Sequence, residues 1–261
     1  MAEENRKTHA KHFDRVHSAQ LQSRTLQDIW HNAYGDDYPA EVNPSAFYSR
    51  PTFQQLVSGL QIEPGQTIVD LGCGNGGAGL WVAQDLGVKL IGIDLSAAGV
   101  AAGTETARAL GLGDTARFLE GDMTATGLAS ASCDGALSLD VLCFVPDKPA
   151  ALREVARILR PGARFGITTW EQEGYSDRLK AAQLTDHAPT LAEAGFDVEF
   201  YEEPPGWRHQ QKAALESILA SEQDLAAELD RPNADHFMAL ARGMLNDMPL
   251  RRYVVVLARR R

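Results

Sequence analysis

The sequence predicts an α/β fold, a doubly wound and mostly parallel sheet of seven strands. Three observations lead there. Residues 67–77, T-I-V-D-L-G-C-G-N-G-G, read as a buried strand running into a glycine-rich turn. Five short apolar runs then alternate with helical runs as far as residue 170, the pattern of a parallel sheet. Two more strand-like runs follow, and they are separated by a long helical excursion that no simple crossover requires.

Residues 1–50 are polar and hold four of the seven histidines: His9, His12, His17 and His31. Val16, Leu21, Leu26 and Ile29 permit one or two amphipathic helices. The histidines at 9, 12 and 17 read as solvated helix residues, because no Cys or carboxylate cluster accompanies them as metal ligands. Residues 30–48 concentrate aromatics, Gly and Pro, too broken for a long helix. Such an arm either closes over a ligand or packs its rings on the core. The expected division is therefore an N-terminal helical and aromatic lid over 1–50, then one domain over 51–261.

A helix over 52–60 ends at Q-I-E-P-G, and Pro64-Gly65 turns the chain into the first strand. Ile68, Val69 and Leu71 make that strand apolar. Glycines 72, 74, 76 and 77 bend the chain after it and let backbone approach a ligand closely. Ala78, Leu80, Trp81, Val82, Ala83 and Leu86 give the next helix one apolar face. The glycines fit both G-x-G-x-x-G and G-x-G-x-G, and they also fit a tight turn with no ligand. Asp70 separates the readings. A carboxylate there repels a pyrophosphate and suits a phosphate-free ligand with a cationic end.

The second strand, 88–93, ends in Asp94, with Leu95 beside it. An acidic residue about 20 residues beyond the glycine turn can accept from both ribose hydroxyls. Ser96 is the better cap for the following helix, which leaves Asp94 free. That helix, 97–110, is weakened by Gly99 and Gly103. The third strand, 116–119, leads into G-D-M, and Asp122 with Met123 is placed at the ligand end of the sheet for an adenine ring; the competing reading is a turn aspartate. The fourth strand, 134–139, runs into D-V-L-C-F-V-P-D, and Asp147 caps the next helix. R-P-G at 160–162 breaks the chain before a fifth strand at 165–170. A helix at 190–194, a sixth strand at 196–201, helices at 207–229 and about 234–245, and a last strand at 251–258 complete the chain. The helical insertion, about 205–248, is expected to cap the ligand end of the sheet.

Composition bounds the function. The 261 residues carry 25 basic and 35 acidic side chains, a formal charge of -10, which argues against a broad nucleic-acid surface. No apolar run approaches the roughly 18 residues that span a membrane. The three cysteines, Cys73, Cys133 and Cys143, lack metal-ligand spacing, so a reducing, cytoplasmic setting with no metal is expected.

D-L-G-C-G-N-G-G, G-I-D-L-S, G-D-M and L-R-E-V-A-R-I-L-R-P-G occur in that order. Over residues 64–200 the sequence resembles the class I S-adenosylmethionine-dependent methyltransferases, whose sheet is Rossmann-like. The aromatic arm, the helical insertion and the terminal Y-V-V-V-L-A-R resemble the subgroup acting on small molecules, including sugar and natural-product methyltransferases of bacterial secondary metabolism. The resemblance implies S-adenosylmethionine as cofactor and S-adenosylhomocysteine as product. It implies that Asp70 and the backbone of Gly72, Gly74 and Gly76 hold the methionine end, with Leu139 nearby. Asp94 and Leu95 would hold the ribose, and Asp122 and Met123 the adenine.

In the sugar O-methyltransferases of that subgroup a histidine after the fourth strand deprotonates the acceptor. Here Cys143 and Phe144 stand in that stretch. The base candidates are therefore Asp140, Glu171, His31 and His209. Tyr34, Tyr38, Tyr48, Trp170 and Trp207 are expected to form the acceptor pocket. An aromatic pocket without histidine favours an electron-rich carbon or an amine. The expected partner is a small molecule, with no nucleic acid and no membrane, bound by a monomer or homodimer. The competing functions are an NAD-dependent oxidoreductase and a non-catalytic S-adenosylmethionine-binding protein.

Overall fold

The structure is a computed structural model; it describes residues 2–40, 42, 47–174 and 186–261, with side chains from residue 6 onward. Seven strands form one sheet in the order β3-β2-β1-β4-β5-β7-β6. They are β1 Thr67–Leu71, β2 Lys89–Asp94, β3 Ala116–Glu120, β4 Cys133–Leu139, β5 Leu159–Gln172, β6 Phe196–Glu202 and β7 Arg251–Arg260. β1 to β5 pair in parallel, and β7 runs antiparallel between β5 and β6. Strand order reverses between β1 and β4, and the crevice at that switch point is where such sheets take ligands.

The helices are α1 Ala2–Gln22, α2 Arg24–Tyr34, α3 Arg50–Leu60, α4 Gly77–Leu86, α5 Ala97–Ala109, α6 Lys148–Ile158, α7 Ala188–Glu193, α8 Trp207–Ala220, α9 Glu222–Leu229 and α10 Arg231–Asp247. Side chains alternate across each strand, so β7 sends Val254, Val256 and Ala258 into one apolar layer and Val255 and Leu257 into the other. Burial on both faces is why these strands read as continuous apolar runs. Ser96 and Asp147 cap α5 and α6 as expected, their oxygens accepting from Gly99 and Ala150 N–H.

Three boundaries differ from expectation. β5 begins at Leu159 rather than 165, because Gly162, at φ 82°, bends the strand without ending it. Residues 207–229 form two helices, since the chain turns at Ser221. The aromatic stretch keeps helical form as far as Tyr34 and then makes a single 3-10 turn, Gly35–Asp37.

A third apolar layer lies away from the sheet. Leu26, Ile29, Trp30 and Tyr34 of α2 pack with Ala214, Leu215 and Ile218 of α8 and with Phe237, Met238 and Ala241 of α10. Glu228 of α9 accepts from Ser23 Oγ at 2.5 Å and from Thr25 Oγ1 at 2.9 Å, tying the α1–α2 corner to this layer.

Glycines 76, 92 and 103 surround one ring. A methyl group on any of them would come within 3 Å of Phe118. This explains Gly103, which helix propensity alone disfavours within α5; a methyl on the other glycine of α5, Gly99, would meet the Gly74 carbonyl instead. Gly103→Ala should therefore destabilise the protein. The gain in helix propensity is about 1 kcal/mol, whereas overpacking a pinned ring costs about 1–3 kcal/mol. Denaturant melts of the two proteins check the sign.

Candidate active site

The turn after β1 is tied to the end of β2. Gly72 and Cys73 N–H both donate to Ile93 O, at 2.7 and 3.1 Å, and Gly76 N–H donates to Cys73 O at 2.8 Å. Gly74 N–H donates to Asp94 Oδ2 at 2.8 Å, while Ser96 N–H donates to Asp94 Oδ1 at 2.8 Å. Asp94 is thus not free, as capping by Ser96 had suggested. It still lines the cleft, and each carboxylate oxygen has a second lone pair for a ligand hydroxyl.

The cleft has a volume of about 870 Å³. Asp70, Gly72, Gly74, Asp94, Leu95, Asp122, Met123 and Leu139 all line it. Gly76 does not, because it turns toward Phe118. The turn amides expected to meet the ligand are already engaged within the protein. Asp122 Oδ1 accepts from Thr124 N–H and Oγ1, both at 2.8 Å. One of its oxygens therefore serves the turn, and the other has no partner among the described residues.

Asp70 is buried and accepts from Gly79 N–H at 3.1 Å. Burial, then the nearby Asp94, pushes its pKa up to about 7, against the pull of the Gly79 bond. A cation arriving beside it would restore the charge.

The base candidates separate clearly. Asp140 lines the cleft, but its carboxylate is surrounded by donors. Phe47 N–H reaches Oδ2 at 2.6 Å, while Thr168 Oγ1 and Tyr253 OH reach Oδ1 at 2.7 and 2.6 Å. Burial raises its pKa and these bonds oppose the rise. Its backbone is left-handed, at φ 62°, which costs a non-glycine residue about 1 kcal/mol. Glu171 is not a cleft residue. Adjacent strand residues face opposite ways, so with Trp170 lining the cleft, Glu171 lies buried behind the sheet. There it pairs with Arg252 and accepts from Tyr201 OH and His187 N–H. His31 and His209 are exposed and also lie outside the cleft; His31 stacks edge-on against Tyr38.

Of the expected pocket aromatics, Tyr38, Tyr48 and Trp170 line the cleft. Tyr34 instead donates from its OH to Phe47 O at 3.0 Å. Trp207 lies behind, packed against Tyr253 and donating to Glu203. Cys143 is buried, and burial with Asp140 nearby pushes its thiol up to about 12, so it is no base.

The expectation missed the inner face of α1. Phe13, Val16, His17 and Gln20 line the cleft together with Arg6, His9 and His12. Their spacing of three and four is that of one helix face, a signal masked by their polarity. The histidines are not simply solvated. Burial, then the facing His236, pushes His12 down to about 4. Asp14 Oδ1 accepts from Ser96 Oγ at 2.7 Å and from Ala98 N–H at 3.1 Å, docking α1 on α5. Phe144, 45% exposed, meets Phe13 edge-on at 5.3 Å. Among the described residues no group of three His, Cys, Asp or Glu side chains is placed to hold a metal ion, and no helix is long and apolar enough to cross a membrane.

The strand order, the Asp94-tied turn and the acidic residues at successive strand ends define the class I methyltransferase fold. Known proteins agree. Residues 69–167 match the family described as a methyltransferase domain. Methyltransferase GfsG of Streptomyces halstedii is 29% identical over 186 residues, 66% of this chain and 66% of its own length. A sterol 24-C-methyltransferase of Eremothecium gossypii is 23% identical over 243 residues, 86% of this chain and 63% of its own length. The chain thus spans less than the full length of the relatives it matches. Among solved structures, the cyclase SpnF superposes with a TM-score of 0.71 at 24% identity, covering 81% of this chain and 80% of that one. Over residues 69–167 the chain is thus similar to methyltransferase domains, its sheet has the class I methyltransferase fold, and both agree with S-adenosylmethionine as cofactor.

The residues fit that cofactor, since Asp94 and Asp122 keep acceptor capacity toward the cleft and Asp70 is a carboxylate awaiting a cation. Affinity for S-adenosylhomocysteine should be flat above pH 7 and fall below it, by up to about tenfold per unit, because its ammonium must displace a proton from Asp70. Calorimetry across pH checks this, and Asp70→Asn should abolish the slope.

Proposed function

We propose that the protein transfers a methyl group from S-adenosylmethionine to a carbon, nitrogen or oxygen atom of a small molecule in bacterial secondary metabolism. One observation carries the reading: a single cleft joins the Asp94-tied turn to an aromatic wall of Trp30, Phe47 and Trp170. The cleft, about 870 Å³, lies toward the upper end of the roughly 300–1,000 Å³ usual for ligand pockets.

The bound cofactor supplies an activated methyl: the acceptor's electron pair bonds to the methyl carbon as the carbon–sulfur bond breaks and its pair returns to sulfur. The chain's own part is to align the acceptor and exclude water. Phe47 is central to that wall. Its N–H is held by Asp140, and its carbonyl accepts from Tyr34 OH at 3.0 Å and Gln211 Nε2 at 3.4 Å. Residues 1–50 and the insertion at 205–248 act as the lid over this wall. Trp170, Tyr38 and Tyr48 belong to the acceptor side.

With Asp140 engaged, Glu171 behind the sheet and the Cys143 thiol protonated, the ends of β4 and β5 offer no free base. His9, His12 and His17 of α1 line the same cleft, contrary to the expected pocket without histidine, so a hydroxyl stays open as acceptor beside an electron-rich carbon or an amine. The sterol carbon named for one relative agrees with a carbon acceptor. A second reading is S-adenosylmethionine binding without methyl transfer, in keeping with the engaged carboxylates at the ends of β4 and β5 and with the cyclase among the structural neighbours. A dinucleotide enzyme is disfavoured, because the engaged amides of Gly72, Cys73, Gly74 and Gly76 leave a pyrophosphate few donors.

Calorimetry should show binding of S-adenosylhomocysteine and none of NAD; the reverse would overturn the assignment. Compared with a deletion strain, the producing organism should yield a metabolite heavier by one CH2 group. Asp140→Asn should lower stability by about 1–3 kcal/mol, since the amide NH2 faces a donor, yet leave the pH profile of methyl transfer unchanged. Lost transfer at unchanged stability would restore Asp140 as a base.

A further inference from the structure

The amino-acid end of the cofactor carries two charges, an ammonium and a carboxylate. Asp70 accounts for the ammonium. The carboxylate needs donors, and the glycine turn has few to give. Gly72 and Cys73 N–H are held by Ile93 O, Gly74 N–H by Asp94, Gly76 N–H by Cys73 O and Gly79 N–H by Asp70.

Two buried polar atoms beside that turn have no partner among the described residues, His17 Nδ1 and Asn75 Oδ1. Buried polar groups are nearly always paired, so such an exception calls for a reason. The His17 ring stands directly over Gly74. A methyl on Gly74 would lie 2.7 Å from His17 Cε1 and 3.3 Å from Nδ1, and one on Gly99 would lie 3.2 Å from Cδ2. Both His17 and Asn75 line the cleft, and Asn75 Nδ2 donates to His17 O at 3.4 Å. Of the two orphans only the imidazole can donate, because an amide oxygen only accepts.

We propose that His17 is a cofactor-contact residue whose imidazole N–H donates to the α-carboxylate of S-adenosylmethionine, so that the bound cofactor adds a further tie holding α1 down. The inference rests on the cleft being the S-adenosylmethionine site. It sets an order of binding. α1 is docked on the elements that form the nucleoside site, through Asp14 on Ser96 and Ala98 and through His17 on Asn75. A nucleoside therefore enters with α1 lifted. The same helix face brings Phe13 and Val16 to the cleft wall, so the acceptor pocket is complete only once α1 is down. Cofactor comes first and acceptor second. By linkage, a contact that closes the lid on the cofactor also tightens the cofactor when the lid is closed.

The test compares two ligands on three proteins. S-adenosylhomocysteine and its analogue lacking the α-carboxylate are titrated by calorimetry into the wild type, His17→Ala and His17→Gln. The wild type should prefer the carboxylate-bearing ligand by about tenfold or more, the range for a hydrogen bond to a charged group. His17→Ala should bind the two about equally, and His17→Gln, which keeps a donor, should recover part of the preference. S-adenosylhomocysteine should slow proteolysis within α1 in the wild type and not in His17→Ala. If His17→Ala weakens both ligands equally, or binds S-adenosylhomocysteine as the wild type does, the ring only packs and the proposal fails. If the wild type binds neither ligand, the cofactor reading itself fails.

Discussion

One carboxylate organises the site. Asp94 ends β2, and its two oxygens take the N–H groups of Gly74 and Ser96. The first bond fixes the glycine turn that follows β1. The second fixes the start of α5. Two crossovers of the sheet are thereby locked to each other at the switch point, and the cleft is the space they leave. Because the carboxylate is buried, losing either bond would leave a buried polar group unpaired, at a cost of about 1–3 kcal/mol. The bonds also have a consequence for the ligand: the turn is closed internally, so its amides cannot serve as a general anion cradle.

Much of this was legible in the sequence, for local reasons. The strands announce themselves because both faces are covered, which leaves uninterrupted apolar runs such as Ile68 to Leu71. Ser96 and Asp147 announce helix starts because a cap acts over three residues. Asp70, Asp94 and Asp122 could be placed because strand ends in a parallel sheet gather at one edge. What was hidden depends on distant partners. Nothing near Asp140 reveals that Phe47 N–H, 93 positions earlier in the chain, occupies its carboxylate. Glu171 sits one residue from a cleft tryptophan, and only the alternation of the strand sends it to the opposite face. The histidines of α1 looked solvated because their own helix is polar; the groups they pack against, His236 of α10 for His12 and Gly74 of the turn after β1 for His17, lie far along the chain.

The lid layer and the sheet are built on separate cores, joined at few points. Leu26, Ile29 and Trp30 pack with α8 and α10 rather than with the strands. Phe47 bridges the two layers, with its ring against Trp30 on one side and Trp170 on the other, at 4.9 and 5.0 Å. Its peptide group is bonded to Asp140 of the sheet side and to Tyr34 and Gln211 of the lid side. The packing of α2 against α8 and the aromatic wall of the cleft therefore meet in the same residue.

The slot around Phe118 carries a different lesson. A ring on β3 is enclosed by glycines from the turn after β1, from β2 and from α5. None of the four positions can accept a larger neighbour alone, so divergence here must proceed by concerted replacement or not at all. That corner of the molecule therefore admits no single enlargement, whichever ligand the cleft takes.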